Sequence, residues 1–226
     1  MRRAVFFIVI GIGGAAILLW LGFWQMQRLD WKLGVIADID ARIDAAPIPL
    51  PDVLDSDADA YLPVEVRGTL GEEFLRVLVS QKEIGAGYRI ISALDMGNRR
   101  VLLDRGFVPV DQSDVTMHEG SETVCGNLQW PQETDGFTPE PDLASNIWFA
   151  RDVAAMAAAL GTEEVLVVAK QTSFDDTPIY PLPVDTSAIP NDHLQYAITW
   201  FSLAAIWIAM TVAFTLRARR TPKKTS

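Results

Sequence analysis

The chain of 226 residues is half hydrophobic, and its formal net charge of −10 comes from 19 basic against 29 acidic side chains. At roughly 100 to 200 residues per domain, this length allows one domain with appendages or two small domains. So acidic a chain is a poor partner for phosphate backbones, and we exclude broad nucleic acid binding.

The charges are sorted along the chain. All 29 acidic side chains lie between Arg28 and His193, and basic residues flank the outer ends of two uncharged runs, 4–27 and 194–216. At about 1.5 Å per residue, each run extends roughly 34 to 36 Å, enough to cross a hydrocarbon core of about 30 Å. We therefore predict transmembrane helices over 4–27 and 193–216, which excludes a plain soluble protein.

The first run favours an uncleaved anchor over a secretory signal, because it is long and ends in Trp20-Leu-Gly-Phe-Trp24 rather than in small residues. Basic flanks mark the cytoplasmic side of membrane helices, so we expect residues 1–3 and the basic tail 217–226 to be cytoplasmic. The section 28–192 then lies across the bilayer. No Arg- and Ser-rich leader precedes the first run, which favours a bacterial inner membrane and a periplasmic main domain.

The section 28–192 predicts a helical extension to about residue 46, stopped by prolines from Pro47 onward, followed by a β-rich domain. A covering helix is expected at 152–160, closed by Gly161, and an extended return strap at 178–190. The fold class is thus a membrane protein in which two transmembrane helices flank an extracytoplasmic, mainly antiparallel β domain of the α+β type. The predicted strands are rich in Val, Ile and Leu and are separated by turn residues: 64–70, 74–79, 88–94, 100–110, 122–129 and 165–172.

Enzyme signatures are missing: the sequence has no GxSxG, GxxxxGK[ST], HExxH or CxxC motif, and we predict no catalytic activity. Two histidines and one cysteine also disfavour a multi-ligand zinc site. We interpret His118, among polar loop residues, as a surface histidine, and Cys125 as a small buried apolar side chain.

His193 is the candidate ligand. It follows Asn191 and Asp192, which can cap a helix, and Tyr196 and Trp200 fall on its helical face. The helix dipole and apolar surroundings disfavour the charged form, so a neutral ring nitrogen is available to bind iron. A capping or interfacial polar role fits His193 equally well.

On the first span, Trp20, Trp24, Gln27 and Trp31 share one face, with Arg28 at the same level. These aromatic residues fit an interfacial belt, and Arg28 fits a snorkelling cation. A role in a binding site is the alternative.

Five motifs, in this order along the chain, resemble the surfeit-locus-one family of cytochrome c oxidase assembly factors, called Shy in yeasts. The last of them is the most specific. The motifs are Gly22-Phe-Trp24-Gln25 with Arg28 and Lys32; Tyr61-Leu-Pro63-Val64 ending at Gly68; Leu102-Leu-Asp104-Arg105-Gly106-Phe107-Val108-Pro109; Asn146-Ile-Trp148 with Asp152; and Asn191-Asp-His193-Leu-Gln195-Tyr196-Ala197-Ile-Thr199-Trp200-Phe201.

The resemblance implies a non-catalytic factor that binds haem a and assists its insertion into oxidase subunit I, with haem a synthase as a further candidate partner. It implies His193 as the axial iron ligand, beside Tyr196, Trp200 and Trp24. Arg28 and Arg105 are then candidates for charge-assisted hydrogen bonds to the propionates. A tight turn pinned by Asp104 and Arg105 is the competing interpretation for Arg105.

Two other functions remain open at this point. One is a scaffold without haem of its own that holds an oxidase assembly intermediate. The other is a membrane-bound enzyme that modifies haem or another lipid-soluble substrate, for which no nucleophile, redox centre or metal cluster can be named.

Overall fold

The computed structural model describes residues 2–81, 85–112, 119–187 and 189–220. The chain divides into two compact units, which we call the helical unit (1–38 with 187–226) and the sheet unit (39–186). The elements in chain order are α1 (Arg2–Ile43), β1 (Ile48–Pro49), β2 (Pro63–Gln81), β3 (Gly85–Asp95), β4 (Arg100–Pro109), a 3₁₀ turn (Val110–Gln112), β5 (Gly120–Gln129), β6 (Ile147–Trp148), α2 (Val153–Leu160), β7 (Leu166–Thr172) and α3 (His193–Arg220).

Two helices are long and apolar enough to cross a membrane, over Val5–Ile43 and His193–Arg217. Only 11% of the most apolar window of each is buried. A helix that is apolar and largely exposed suits a lipid environment rather than the core of a soluble protein. The chain is therefore a membrane protein whose two apolar helices flank a sheet domain, as its sequence predicts.

Glycines let α1 and α3 approach closely within the helical unit. A Cβ added to Gly14 would lie 2.5 Å from the Trp207 ring, and one added to Gly22 would lie 2.6 Å from the Phe201 ring. The Trp207 indole N–H also donates to the carbonyl of Gly11 at 3.0 Å. Small residues are the usual means of close helix packing in membranes, and here they act within one chain.

The sheet unit is built around one long strand that takes part in two pairings. The first half of β2 pairs with β5 and its second half with β3, and β3–β4–β7–β5 complete a closed ring. Pairings are antiparallel except that β4 pairs with β7, and β1 and β6 pair with β2, in parallel. The predicted α+β class is confirmed, with parallel pairings added to a mainly antiparallel sheet.

Alternating side chains of the strands pack into two large hydrophobic clusters, beside a smaller third one formed by Ile90, Val108 and Ile179. Val101 and Leu103 belong to a cluster made chiefly by strand residues, whereas Leu102 belongs to a second cluster that Met156 of α2 covers. α2 begins where predicted: the Asp152 carboxylate accepts from the Ala155 N–H at 3.0 Å, and Gly161 ends the helix with φ +62°.

Several element boundaries differ from the predictions. Strands 64–70 and 74–79 are one continuous strand, because the irregularity near Gly71 changes the register without ending the pairing. α1 ends at Ile43 rather than near residue 46, and α3 continues to Arg220. The remainder of the basic tail, 221–226, lies outside the described residues.

Candidate functional site

His193 is the first residue of α3. The carbonyl of Asp192 accepts from the Tyr196 N–H at 3.1 Å, so the helix begins at the position that the sequence predicts. The imidazole is half-buried rather than fully exposed. A ring at the start of a helix is fixed in position by the backbone and can still be reached from outside.

The His193 ring is held by a side chain of the first helix. Its Nδ1 lies 2.8 Å from Oε1 of Gln25, across 168 residues of sequence. Because a carboxamide oxygen only accepts hydrogen bonds, this contact places a proton on Nδ1, and of the two neutral tautomers it favours the one with Nδ1–H. In that tautomer the lone pair is on Nε2, which is the arrangement that orients a histidine for metal ligation.

Of the three aromatic residues predicted near His193, Tyr196 and Trp200 lie on α3 and Trp24 lies on α1, and two of the three are more exposed than the ring. Tyr196 is 54% exposed and Trp24 is 47% exposed, whereas Trp200 is half-buried. In the described part of the chain, no hydrogen bond or ring stacking joins any of the three to His193. They offer apolar surface at the helix faces, and their predicted role in binding stays a prediction.

Arg28 lies on the exposed surface of α1, with its guanidinium carbon 3.8 Å from the centroid of the Trp31 ring. A cation stacked on an indole keeps its N–H edges free to donate in the ring plane. The arrangement fits a snorkelling cation and is also compatible with carboxylate binding.

Arg105 is fully buried in the sheet unit, where its guanidinium forms a two-pronged ion pair with the carboxylate of Asp176. Its Nη1 also donates to Ser92 Oγ at 3.4 Å. We therefore leave Arg105 out of the ligand site. The competing tight-turn interpretation needs correction too, because Asp104 to Gly106 form a bulge inside β4 rather than a turn between strands.

The segment around Tyr180 packs directly against the bulge. Gly106 has φ +128°, and a Cβ there would lie 2.0 Å from the carbonyl oxygen of Tyr180. Only glycine suits both the dihedral angle and the close approach. The motif around Arg105 is accordingly a packing motif of the sheet unit.

A second buried ion-pair network lies beside it. Asp104, fully buried, accepts from Arg89 at 2.5 Å and lies 3.7 Å from Arg151, which pairs with Glu133. Burial raises the pKa of Glu133, but the hydrogen bond and charge of Arg151 outweigh burial and leave that pKa below its usual value. Arg89 and Arg151 therefore form ion pairs with carboxylates of the sheet unit itself.

Cys125 is half-buried rather than buried, which corrects the sequence interpretation. Burial and the neighbouring Glu65 carboxylate, 3.7 Å from Sγ, raise the pKa of this thiol, so it is poorly reactive. His118, interpreted as a surface histidine, lies outside the described residues. Over the described ranges, no group of three or more His, Cys, Asp or Glu side chains could hold a metal ion.

Sequence reasoning did not predict the environment of two polar side chains near His193 in the sequence or in contact with it. Gln25 stands in the first motif, but its helical face alone does not indicate that it reaches His193. Asn191 lies two residues before His193, and its Oδ1 is buried without a hydrogen-bond partner among the described residues. Buried acceptors are nearly always paired, so the open Asn191 Oδ1, two residues before His193, indicates a group that the described residues do not supply.

Together these features define a class: a membrane protein with two apolar helices, a closed sheet domain and, at the start of the second helix, an imidazole oriented by a side chain of the first. The model of the SURF1 family matches residues 13–205. The chain belongs to the SURF1 family, a family of cytochrome oxidase assembly factors rather than a class of enzymes.

Named relatives cover most of the chain. Surfeit locus protein 1 of Homo sapiens is 32% identical over 211 residues, which are 82% of this chain and 69% of that protein. Surfeit locus protein 1 of Rattus norvegicus is 30% identical over 230 residues, 89% of this chain and 72% of that protein. A bacterial relative, the SURF1-like protein of Rickettsia felis, is 27% identical over 209 residues, 88% of this chain and 92% of that protein.

Proposed function

We propose that this protein binds haem a and assists its insertion into subunit I of cytochrome c oxidase, with Nε2 of His193 as the axial ligand of the iron. The observation that carries the proposal is the contact between His193 Nδ1 and Gln25 Oε1 at 2.8 Å. It supplies the two things an iron ligand needs, a fixed ring and a free lone pair on the other nitrogen.

The residues around His193 fit the chemistry of haem a. That molecule combines an iron, a flat macrocycle, a long apolar tail and two carboxylates. Exposed aromatic side chains of both helices, Trp24 and Tyr196, provide apolar contact surface, with Trp200 on the same helix as His193. Arg28 provides a cation for a propionate through a charge-assisted hydrogen bond. Asn191 Oδ1 provides an open acceptor for a hydroxyl group.

A protein that delivers haem must also release it. One imidazole holds iron less tightly than two, and a half-buried ring leaves a route for exchange. A single ligand therefore suits a transient carrier better than a permanent haem protein. Subunit I is the receiving partner in this proposal, and haem a synthase is a candidate donor.

The proposed location is a bacterial inner membrane with both termini in the cytoplasm and the sheet unit in the periplasm. Its support is the distribution of charge: Arg2 and Arg3 precede the first apolar run, and the basic tail follows the second. In this orientation His193 lies at the periplasmic end of α3.

The test is an absorption spectrum of the detergent-purified full chain made in a host that synthesises haem a. We expect near-stoichiometric haem a in the wild type and its loss in His193→Ala, with the far-UV circular dichroism unchanged. Colourless wild-type protein in a strain with normal oxidase assembly would end the proposal.

A scaffold without haem is the second candidate, favoured by the exposed tryptophans of α1, which offer a face to another membrane protein: Trp20, Trp24 and Trp31. It predicts that replacing these tryptophans by leucine uncouples the chain from subunit I in co-purification. His193→Ala would then leave the amount of active oxidase unchanged. Loss of oxidase with His193→Ala, at normal levels of the variant, favours the carrier.

A further inference from the structure

The sheet unit contains a small cavity of about 200 Å³ that the site above does not use. We call it the Trp148 cavity. Its volume is below the roughly 300–1,000 Å³ typical of sites for drug-sized ligands. It therefore suits one side chain of a partner rather than a cofactor. Its walls come from the loop 134–141 and the segment 148–155: Thr134, Asp135, Thr138, Pro139, Glu140, Pro141, Trp148, Phe149, Ala150, Asp152 and Ala155.

Trp148 supplies an unused hydrogen-bond donor. The residue is 4% exposed, and its indole N–H is buried with no hydrogen-bond partner in the described part of the chain. Its backbone is fixed by the pairing of β6 with β2, where Trp148 lies opposite Val77. Buried donors in folded proteins are nearly always paired, so this one indicates an acceptor that the described residues do not provide.

The charges of the cavity are of one sign. Asp135, Glu140 and Asp152 line it, and none of the described residues in its walls is basic. Hydrogen bonds from the Phe137 N–H and the Thr138 hydroxyl hold the pKa of Asp135 below its usual value, so this carboxylate stays charged. The adjacent Arg151 is engaged by Glu133 and does not neutralise the cavity. An occupant should therefore be cationic.

Apolar side chains stand at the same place. Phe137, between the lining residues Asp135 and Thr138, is 95% exposed, and Phe149 in the wall is 39% exposed. Grouped exposed aromatic side chains commonly mark an interaction surface. A free cation would leave these rings uncovered, whereas a peptide could cover them.

We propose that the Trp148 cavity binds a short extended segment of a partner protein that carries a basic side chain beside an apolar one. A backbone carbonyl of the segment accepts from the Trp148 indole N–H, and the basic side chain pairs with the carboxylates of the wall. The apolar side chain packs on Phe137 and Phe149. This site is separate from the proposed haem ligand and does not depend on it.

The experiment uses the full chain in detergent micelles, labelled with ¹⁵N at the indole nitrogens of its seven tryptophans. The probe is acetyl-glycyl-arginyl-phenylalanyl-glycinamide, and the control is the same peptide with glutamate in place of arginine. Trp148→Phe assigns the cross-peak. We expect the arginyl peptide alone to shift that cross-peak saturably. Fluorescence anisotropy of the labelled peptide should show binding weakened roughly five- to tenfold in Trp148→Phe, as for one lost hydrogen bond.

Glu140→Gln is the second variant, and because Glu140 is exposed we expect this substitution to leave the fold intact even where the tryptophan substitution perturbs it. We expect affinity to fall roughly two- to fivefold, as for one exposed ion pair. Glu72→Gln, an exposed acidic position outside the cavity, is its matched control and should bind as the wild type does. The proposal is overturned by an unmoved Trp148 cross-peak, by equal shifts with both peptides, or by argininamide binding as tightly as the peptide.

Discussion

At the residue scale, the proposed haem site consists of one imidazole and the carboxamide that contacts it. His193 is visible in the sequence as a histidine at the start of an apolar run. Its partner is not, because a contact between Gln25 and His193 arises only when two helices separated by 168 residues pack together. Sequence reasoning therefore proposes His193 as a ligand and misses the side chain that contacts its ring.

Substitutions of Gln25 test whether its carboxamide orients His193 for iron binding. Loss of an outer hydrogen bond to a ligating histidine typically costs 10- to 100-fold in metal affinity, and we expect about this loss for haem a in Gln25→Leu. Gln25→Glu keeps an acceptor and should bind at least as well as the wild type. Absorption titration with haem a measures both. The control is Gln27→Leu on the same helix, whose exposed side chain should be dispensable; equal losses at both positions would contradict the account.

Arg105 is the opposite case: the sequence offers it both as a propionate partner and as a structural residue, and its contacts in the sheet unit favour a structural role. Its partner Asp176 lies 71 positions away, so the sequence cannot reveal that the guanidinium is already used. We expect Arg105→Met to lower the free energy of unfolding by about 3–5 kcal/mol, because the substitution leaves the Asp176 carboxylate buried without its ion-pair partner. Denaturant unfolding followed by circular dichroism measures this change. Arg105→Met with Asp176→Leu should recover most of the stability.

Haem binding distinguishes the two roles of Arg105. With its role confined to the sheet unit, the folded fraction of Arg105→Met should bind haem a as the wild type does. A stable Arg105→Met variant with weakened haem binding would return this residue to the ligand site.

At the element scale, the helices and most strands follow from local patterns, while the way they join does not. α2 is predicted almost to the residue, since a capping aspartate and a terminal glycine act within a few positions. The union of two predicted strands into β2, and the parallel pairing of β4 with β7, depend on partners distant in sequence. The hydrophobic periodicity of a segment indicates neither where a strand continues nor which strand it pairs with.

Close packing of α1 on α3 gives a prediction with an internal control. A Cβ at Gly22 would meet Phe201, which itself packs edge-on against Phe23 with centroids 5.3 Å apart. Gly22 lies one turn before Gln25, so we expect Gly22→Ala to disturb the His193 contact and to reduce bound haem a several-fold. Gly13 has open space around a Cβ, and Gly13→Ala should leave haem content unchanged. Pigment quantified per protein compares them, and equal behaviour of the two variants would refute this packing role.

At the scale of the whole molecule, the distribution of charge makes a prediction about orientation. Asp57 is exposed in the sheet unit. Asp57→Cys in a Cys125→Ala background should react with a membrane-impermeant maleimide added to intact spheroplasts, because the acidic section is expected on the periplasmic side. The matched control is the Cys125→Ala chain without the new cysteine. If the new cysteine reacted only after the spheroplasts were lysed, the sheet unit would lie on the cytoplasmic side, opposite to the proposed topology.

The central claim is that the His193 imidazole itself holds the iron of haem a. Its most direct test is the haem a spectrum of the purified His193→Gly chain, with and without added imidazole. We predict that the substitution abolishes the bound-haem spectrum and that millimolar imidazole restores it, since the small ligand can occupy the vacated position. A His193→Gly chain that retains the wild-type spectrum without imidazole would contradict the claim.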